Sequence, residues 1–327
     1  MSISGRKRLS SAYAVSALAV LSCALWGSAI PAIRIGYALL GISSADVADQ
    51  LVFAGPRFVL GGIIVYVLQG ARTGSWHATP AELRAAAQIG FFQVFAQQLL
   101  GYVGLAHATG VSGSIASGAG VFMMLLASCF VFRLEKMTLN KALGCLCGFA
   151  GLLVATGGIG QSSRFGWGET LMLASSVAGA AATALMRKKA QSEDPLKLCG
   201  LQFMLGGACL LAAGLILGGR LEIATFAELG VLVWLAVVSA VGFSSWSLLL
   251  RDNDISRIAP YQFLIPVFGV ALSLATIGSE GTPVGPATAL ALVLIAAGII
   301  LANRKPSSTS IMTTRIAGGL LLGYNPK

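Results

Sequence analysis

The chain has 327 residues, of which 56% are hydrophobic and only 10% are charged. Soluble globular domains carry about 25% charged residues, so this composition excludes a soluble domain and predicts a membrane protein. A net charge of +10 would suggest a nucleic-acid partner for a soluble protein, but the basic residues here lie mostly between apolar runs. We therefore expect a lipid bilayer, and no nucleic acid, as the partner.

Apolar segments follow one another along the whole chain, each close to the roughly 20 residues that a helix needs to cross a bilayer. They predict an all-α integral membrane protein with ten transmembrane helices. In chain order the predicted helices cover residues 12–38, 48–69, 82–106, 110–132, 139–156, 167–187, 196–217, 226–250, 255–277 and 284–302.

The distribution of Lys and Arg predicts the orientation of these helices. Of 22 such residues, 18 lie in the N-terminus, in every second loop with its helix ends, or in the C-terminal tail. The other loops hold only Arg164 and Arg220, while Arg34 and Arg57 lie within predicted helices. Because positive residues mark the cytoplasmic side, we expect cytoplasmic N- and C-termini in the inner membrane.

A short pattern occurs twice, as VFAGPRFVLGG in the second predicted helix and KLCGLQFMLGG in the seventh. Five crossings separate the copies, so they would run in opposite directions, and the same offset of 145 residues relates Glu135 to Glu280. The repeat predicts two inverted five-helix halves, residues 1–160 and 161–304, followed by a disordered cytoplasmic tail at 305–327. Inverted repeats are typical of secondary transporters, which bind substrate near the midplane between the halves.

Several polar or amphipathic residues lie near the middle of predicted helices, where they are costly and mark candidate functional sites. Each has a packing alternative: Gln93 and Gln97 could bond neighbouring helices, Trp26 could fill the core, and Arg57 could form an ion pair or clamp a carbonyl. Trp246, near a helix end, is predicted to lie in the interfacial aromatic belt. The candidate substrate-binding residues are Trp26, Arg57, Gln93, Gln97, Gln202, Tyr261 and Gln262.

The sequence offers no group of residues for catalysis, metal binding or cofactor binding. Its two histidines and six cysteines show no metal-ligand spacing, and no Gly-rich phosphate loop is present. We therefore predict no catalytic residue, no metal, no cofactor and no enzyme activity. The GCLCG stretch at 144–148 either packs against another helix of the chain or forms a homodimer contact.

Four stretches of the chain resemble an EamA-type member of the drug/metabolite transporter superfamily. They are LWGSAIPAIRIG in the first helix, PRFVLGG in the second, GCLCGFAGLLVATGG after Glu135, and GWGETLMLASSVAGAAATALMRKKA at the start of the second half. The resemblance extends from about residue 12 to 303. It implies ten helices in two inverted halves, a central cavity and alternating access. The tryptophan often found midway along the first helix of each half is present as Trp26, but Ala178, Gly179 and Ala180 stand in the second half.

The resulting expectation is a secondary transporter that exports small amino-acid-like or amphipathic metabolites across the inner membrane. In this interpretation Arg57 attracts a carboxylate, while Trp26 and the glutamines shape the pocket. An organic-anion or sugar-phosphate exchanger is the first alternative, although it would need more than one deep cation. An intramembrane enzyme is the remote alternative.

Overall fold

The computed structural model describes residues 11–43, 46–107, 120–155, 166–276 and 286–304, and within these ranges the chain is helical and has no strand. Two pairs of helices follow one another without a break, α3 with α4 and α10 with α11, joined by a π-helical and a 3-10 segment respectively. The helices are α1 (Ala12–Leu40), α2 (Val47–Thr73), α3 (Pro80–Gly90), α4 (Gln97–His107), α5 (Gly120–Val131), α6 (Leu139–Ala155), α7 (Trp167–Lys189), α8 (Pro195–Ile216), α9 (Phe226–Asp252), α10 (Ile255–Ile258), α11 (Leu264–Thr276) and α12 (Pro286–Asn303).

Six of the described helical stretches are long and apolar enough to cross a membrane, namely α1, α2, α7, α8, α9 and the stretch from α10 into α11. Shorter apolar helices occupy Gly120–Val131, Leu139–Val154 and Leu290–Asn303. Some features of the sequence analysis fall outside the described residues. They are the boundary near residue 160, Glu280 and the tail after 304.

Helices α2 and α8, which carry the two copies of the repeated pattern, cross each other closely through their glycines. A Cβ atom on Gly62 would lie 2.7 Å from the Gly200 carbonyl oxygen, and one on Gly207 would lie 3.0 Å from the Gly55 carbonyl oxygen. Numbers rise along one helix as they fall along the other, so the two copies are antiparallel. Their equivalent rings, Phe58 and Phe203, meet at a centroid distance of 5.3 Å.

The other helix pairs follow the same relation. Helix α1 packs along α9. The offset of about 145 residues relates α1 to α7 and α4 to α9, and α7 packs along α4 in the same way. Helix α6 packs along its own counterpart α12, where Gly144 approaches the Gly298 carbonyl oxygen. Gly144 and Gly148 both contact residues of this chain, so the two glycines of the GCLCG stretch serve internal packing.

The starts of α3 and α9 show a further correspondence that the sequence analysis missed. ATPAEL precedes and begins α3, and ATFAEL precedes and begins α9. In each, the threonine hydroxyl accepts the backbone N–H of the glutamate, and the glutamate accepts the backbone N–H of the threonine. This reciprocal capping satisfies two of the donors that a helix start leaves free. The caps formed by Thr79 with Glu82 and by Thr225 with Glu228 therefore fix where α3 and α9 begin.

Polar contacts join the two parts of the chain at one end of the bundle. Glu135, between α5 and α6, accepts hydrogen bonds from the backbone N–H and the hydroxyl of Ser256 in α10. It also forms an ion pair of 2.7 Å with Lys141. Lys197 of α8 pairs with Glu82 of α3 at 3.0 Å. These contacts hold helices from residues 1–160 against helices from 161–304 at this end.

Candidate functional site

A cavity of about 250 Å³ lies between helices from both parts of the chain. Small-molecule sites have volumes of roughly 300–1,000 Å³, so this space suits a small metabolite. One of its lining residues, Trp26, lies at the middle of α1. The described lining residues are Trp26, Gln93, Gln97, Gly101, Gly120, Met124, Met172, Ser175, Ser176, Gly179, Ala180, Thr183, Phe243, Trp246, Gln262 and Ile265.

Four of the seven predicted site residues line this cavity together: Trp26, Gln93, Gln97 and Gln262. The other three, Arg57, Gln202 and Tyr261, are buried behind the lining. Their roles in binding stay predictions, but the geometry separates residues that a ligand in this cavity could contact from residues that act through others.

Gln93 and Gln97 reach the cavity from an irregular part of their helix. Residues Phe91–Ala96 form a π-helical segment, in which the backbone N–H of Gln97 bonds to the Phe92 carbonyl, five residues back. Such segments disturb the regular bonding of a helix and are frequent at functional sites. The backbone carbonyl of Gln97 is held from the second part of the chain by the Ser175 hydroxyl, at 2.7 Å.

Gln202 of α8 supports Gln93 from behind. Its side chain is fully buried, and its Nε2 donates to Oε1 of Gln93 at 3.1 Å. The approach is close because Gly90 has no side chain, and a Cβ there would lie 2.5 Å from the Gln202 carbonyl oxygen. Gln202 therefore fixes the Gln93 carboxamide so that its NH₂ group is the part left for other partners.

Tyr261 positions the adjacent cavity residue Gln262 through contacts with α1. Both residues lie in the 3-10 segment Ala259–Phe263 that Pro260 helps to begin. The Tyr261 hydroxyl shares a hydrogen bond of 2.6 Å with Ser16, and the Tyr261 carbonyl accepts from the Cys23 thiol at 3.2 Å. These bonds fix the segment on α1 and leave Gln262 at the cavity.

Three aromatic side chains form one wall of the cavity. The ring centroid of Trp26 lies 4.8 Å from that of Phe243 and 5.3 Å from that of Trp246. The prediction that Trp246 belongs to an interfacial belt is wrong, because its side chain is 2% exposed and packs on Trp26. Its position near a helix end misled the prediction, since neighbouring helices cover that end inside the bundle.

Arg57 is connected to this wall through other aromatic side chains. It is 7% exposed, its guanidinium lies 4.5 Å from the ring centroid of Phe58, and its Nε has no hydrogen-bond partner among the described residues. Phe58 packs on Phe203, and Phe203 packs on Phe243 at 5.0 Å. A continuous aromatic row thus runs from Arg57 to the cavity.

Two large side chains occupy equivalent places in the two parts of the chain. A Cβ on Gly242 of α9 would lie 2.8 Å from Nε1 of Trp26, and one on Gly179 of α7 would lie 2.7 Å from Nε2 of Gln97. In the pair α1–α9 the large residue is on α1, and in the pair α7–α4 it is on α4. Gln97 therefore occupies the space beside Gly179 as Trp26 occupies the space beside Gly242.

The sequence analysis missed the contribution of α7 to the cavity. Its lining residues recur at helical spacing and are small or flexible: Met172, Ser175, Ser176, Gly179, Ala180 and Thr183. This spacing of one face was visible in the sequence, but hydroxyl and glycine residues are common in packed membrane helices, so nothing marked them as pocket residues.

The described lining residues carry no ionisable acidic or basic side chain, and the described residues contain no group of three or more metal-ligating side chains. The cavity instead offers carboxamides, hydroxyls, aromatic rings and methionine thioethers. These are uncharged groups that form hydrogen bonds and apolar contacts.

Comparisons with known proteins agree with this architecture. Residues 166–304 match the model of the EamA-like transporter family. An uncharacterized transporter of Bacillus subtilis (strain 168), YvbV, is 27% identical over 265 residues, which cover 79% of this chain and 84% of that protein. A solved crystal structure has the same fold, with a TM-score of 0.70 and 19% identity over 95% of this chain and 99% of the other.

The long apolar helices and the family match identify a multi-pass membrane protein. The two sequence matches both lead to transporters. They confirm the predicted resemblance to the drug/metabolite transporter superfamily, and the EamA-like match covers the part of the chain from residue 166 to 304.

Proposed function

We propose that the chain is a secondary transporter that exports small amino-acid-like or amphipathic metabolites across the inner membrane by alternating access. The observation that carries this proposal is the cavity itself, because helices from both parts of the chain bound it around the middle of α1. A site between two halves is where a rocking motion exposes a substrate first to one side and then to the other.

The helix packing supports two inverted five-helix halves, divided near residue 160, with ten crossings in all. The antiparallel crossing of α2 and α8, with Phe58 against Phe203, is the contact that a two-fold axis in the membrane plane would produce. The pairing of α1 with α9 and of α7 with α4 obeys the same axis. With an even number of crossings, the distribution of basic residues favours cytoplasmic N- and C-termini.

The polar contacts of Glu135 and Lys197 lie at the end that this topology makes cytoplasmic. They join the halves at that end, while the cavity lining extends toward the other end through Gly101 and Met172. This arrangement supports a conformation in which the cytoplasmic side is the closed one.

The organic-anion or sugar-phosphate exchanger is less well supported. A site for phosphate or dicarboxylate ordinarily contains arginine or lysine in direct contact with the anion. Arg57 is the deep cation of the sequence, and it lies behind Phe58 and outside the described lining. Substrate contact by Arg57 therefore has less support than a role in holding the aromatic row. The enzyme alternative has no support among the described lining residues, which include no nucleophile paired with a base.

The experiment is transport into proteoliposomes that contain the purified chain, with a panel of labelled amino acids, uncharged heterocycles, sugar phosphates and cationic dyes. We expect saturable counterflow of at least one uncharged or zwitterionic compound, and loss of that counterflow in Trp26→Ala. Counterflow restricted to sugar phosphates would establish the anion exchanger instead. If no compound moves although the protein binds one of them, the transport proposal is wrong.

A further inference from the structure

Several polar groups around the cavity already form hydrogen bonds within the protein, and the groups that remain include both donors and acceptors for a ligand. Oε1 of Gln93 accepts a hydrogen bond from Nε2 of Gln202, and the Gln93 NH₂ group adds donors for a ligand. The hydroxyl protons of Ser175 and Thr183 go to backbone carbonyls, so the oxygens of these hydroxyls are acceptors. A carboxamide offers both kinds of group, and Gln97 and Gln262 add two of them to the lining.

This mixture fits a neutral ligand better than an ion. A carboxylate or phosphate only accepts hydrogen bonds, and an ammonium group only donates them. An ion would also lose much of its hydration in this cavity without meeting an opposite charge, because none of the described lining residues is charged. Burying an unpaired charge is far more costly than burying a neutral group that keeps its hydrogen bonds.

The aromatic wall restricts the shape of such a ligand. Trp26, Phe243 and Trp246 present large rings to the same small space. Stacking on aromatic rings stabilises flat aromatic ligands whatever their substituents, as in the binding of unpaired bases. Glutamine carboxamides pair well with flat edges on which a donor and an acceptor stand side by side.

We propose that the substrate is an uncharged, planar heteroaromatic compound with adjacent hydrogen-bond donors and acceptors on its edge, the chemistry of a nucleobase or nucleoside. The inference rests on the proposed transport function, and among the substrates named there it favours an uncharged amphipathic compound over an amino-acid-like one. The rings of the aromatic wall stack on the heterocycle, and the glutamines bind its edge.

Gly179 is a specificity-determining residue in this proposal. It contacts the Gln97 carboxamide at the distances where a Cβ would collide with it. Any side chain at position 179 moves Gln97, and with it the group that pairs with the ligand edge. Glycine at this position therefore leaves the room that the Gln97 carboxamide occupies on this side of the cavity.

The test is calorimetric titration of the purified full-length chain in lipid nanodiscs with adenosine, uridine, adenosine monophosphate and L-phenylalanine. Adenosine and adenosine monophosphate share the heterocycle and differ in the charged phosphate. We expect at least one nucleoside to bind, at least about tenfold more tightly than the monophosphate or the amino acid. Equal or tighter binding of either charged compound, or no binding of either nucleoside, overturns the proposal.

Three variants locate the binding. Gln97→Ala and Gly179→Ala should each weaken nucleoside binding about tenfold, the effect of losing one good hydrogen bond. Gln191→Ala is the matched control, because Gln191 bonds to the Arg251 carbonyl at the helix end and lies outside the cavity lining. Unchanged affinity in folded Gly179→Ala, or equal loss in the control, contradicts the assignment. Should Gln97→Ala fail to fold, Gly179→Ala, which retains the glutamine, decides.

Counterflow of adenosine separates this inference from the transport function. Binding without counterflow supports the substrate class and contradicts transport. Counterflow of an amino acid together with no nucleoside binding contradicts the substrate class and leaves transport intact.

Discussion

Arg57 shows how a single residue can matter for a cavity that it does not line. Its guanidinium rests on Phe58, which leads through Phe203 to the aromatic wall. A desolvated cation–ring contact contributes about 2 kcal/mol, so loss of the charge should loosen this row. We expect Arg57→Gln to fold and to reduce transport at least about tenfold, while Arg57→Lys keeps part of the activity because lysine retains the charge.

Detergent thermal stability and proteoliposome uptake measure the two effects separately. Arg34→Gln is the control, because Arg34 is exposed near the end of α1 and should tolerate the change. Normal uptake in Arg57→Gln would show that neither the charge nor the row matters for transport.

Gly242 permits the second prediction at the scale of residues. A methyl group there would lie 2.8 Å from Nε1 of Trp26, so Gly242→Ala should displace the indole and destabilise the protein by about 1–3 kcal/mol, the usual effect of overpacking. Gly230→Ala in the same helix meets no atom within 4 Å and should be neutral or stabilising. Tryptophan fluorescence and thermal unfolding compare the two. Similar behaviour of both variants would contradict close packing of Trp26 on α9.

The sequence predicted individual residues unequally well, for physical reasons. Gln93, Gln97, Gln262 and Trp26 could be selected because polar or amphipathic groups near the middle of a helix need a partner, and the structure brings these four together. Depth alone does not give direction around the helix axis. Arg57 is as deep as the others, yet it lies behind a ring that only the crossing of α2 and α8 reveals.

At the scale of elements, the loop between α5 and α6 bears on stability through Glu135, whose side chain is 4% exposed. Burial alone would raise the pKa of Glu135, but hydrogen bonds from Lys141, Ser128 and Ser256 outweigh it and lower the pKa below its usual value near 4.5. A carboxylate with a lowered pKa stabilises the folded state above its unfolded pKa, and this contribution is lost as pH falls through the folded value.

We therefore expect wild-type stability to fall below about pH 4.5, and Glu135→Gln to be less stable at pH 7 by about 2 kcal/mol, the worth of charged hydrogen bonds. The variant should also lose the part of the pH dependence that Glu135 causes. Thermal unfolding in nanodiscs between pH 3.5 and 7 measures both. The exposed Glu222→Gln serves as control, and parallel pH curves for wild type and Glu135→Gln would refute the assignment.

The helix boundaries themselves were largely predictable, because apolar length defines a membrane helix. The π-helical segment Phe91–Ala96 was not, since no residue pattern in FFQVFA distinguishes it from a regular helix. The break of the ninth predicted helix into α10, a 3-10 segment and α11 was foreshadowed by Pro260, which limits backbone bonding. Packing partners such as α6 with α12 depend on the whole bundle, so the sequence left internal packing and dimer contact open for the GCLCG stretch.

For the whole molecule, the proposed inverted halves predict that two similar sequences lie on opposite sides of the membrane. ATPAEL and ATFAEL start α3 and α9 with the same reciprocal caps, so local chemistry gives no reason for them to face different sides. The loop before α3 nevertheless belongs to the set of loops that carries most of the Lys and Arg residues, whereas the loop before α9 holds Arg220 as its one basic residue.

Paired reporter fusions after residues 76, 222 and 310 test this difference in orientation. We expect the cytoplasmic reporter to be active at 76 and 310 and the periplasmic reporter at 222, because the positive-inside rule acts on short loops and fixes the orientation of the bundle. The same side for 76 and 222 would rule out inverted halves, and a periplasmic signal at 310 would rule out an even number of crossings between cytoplasmic termini.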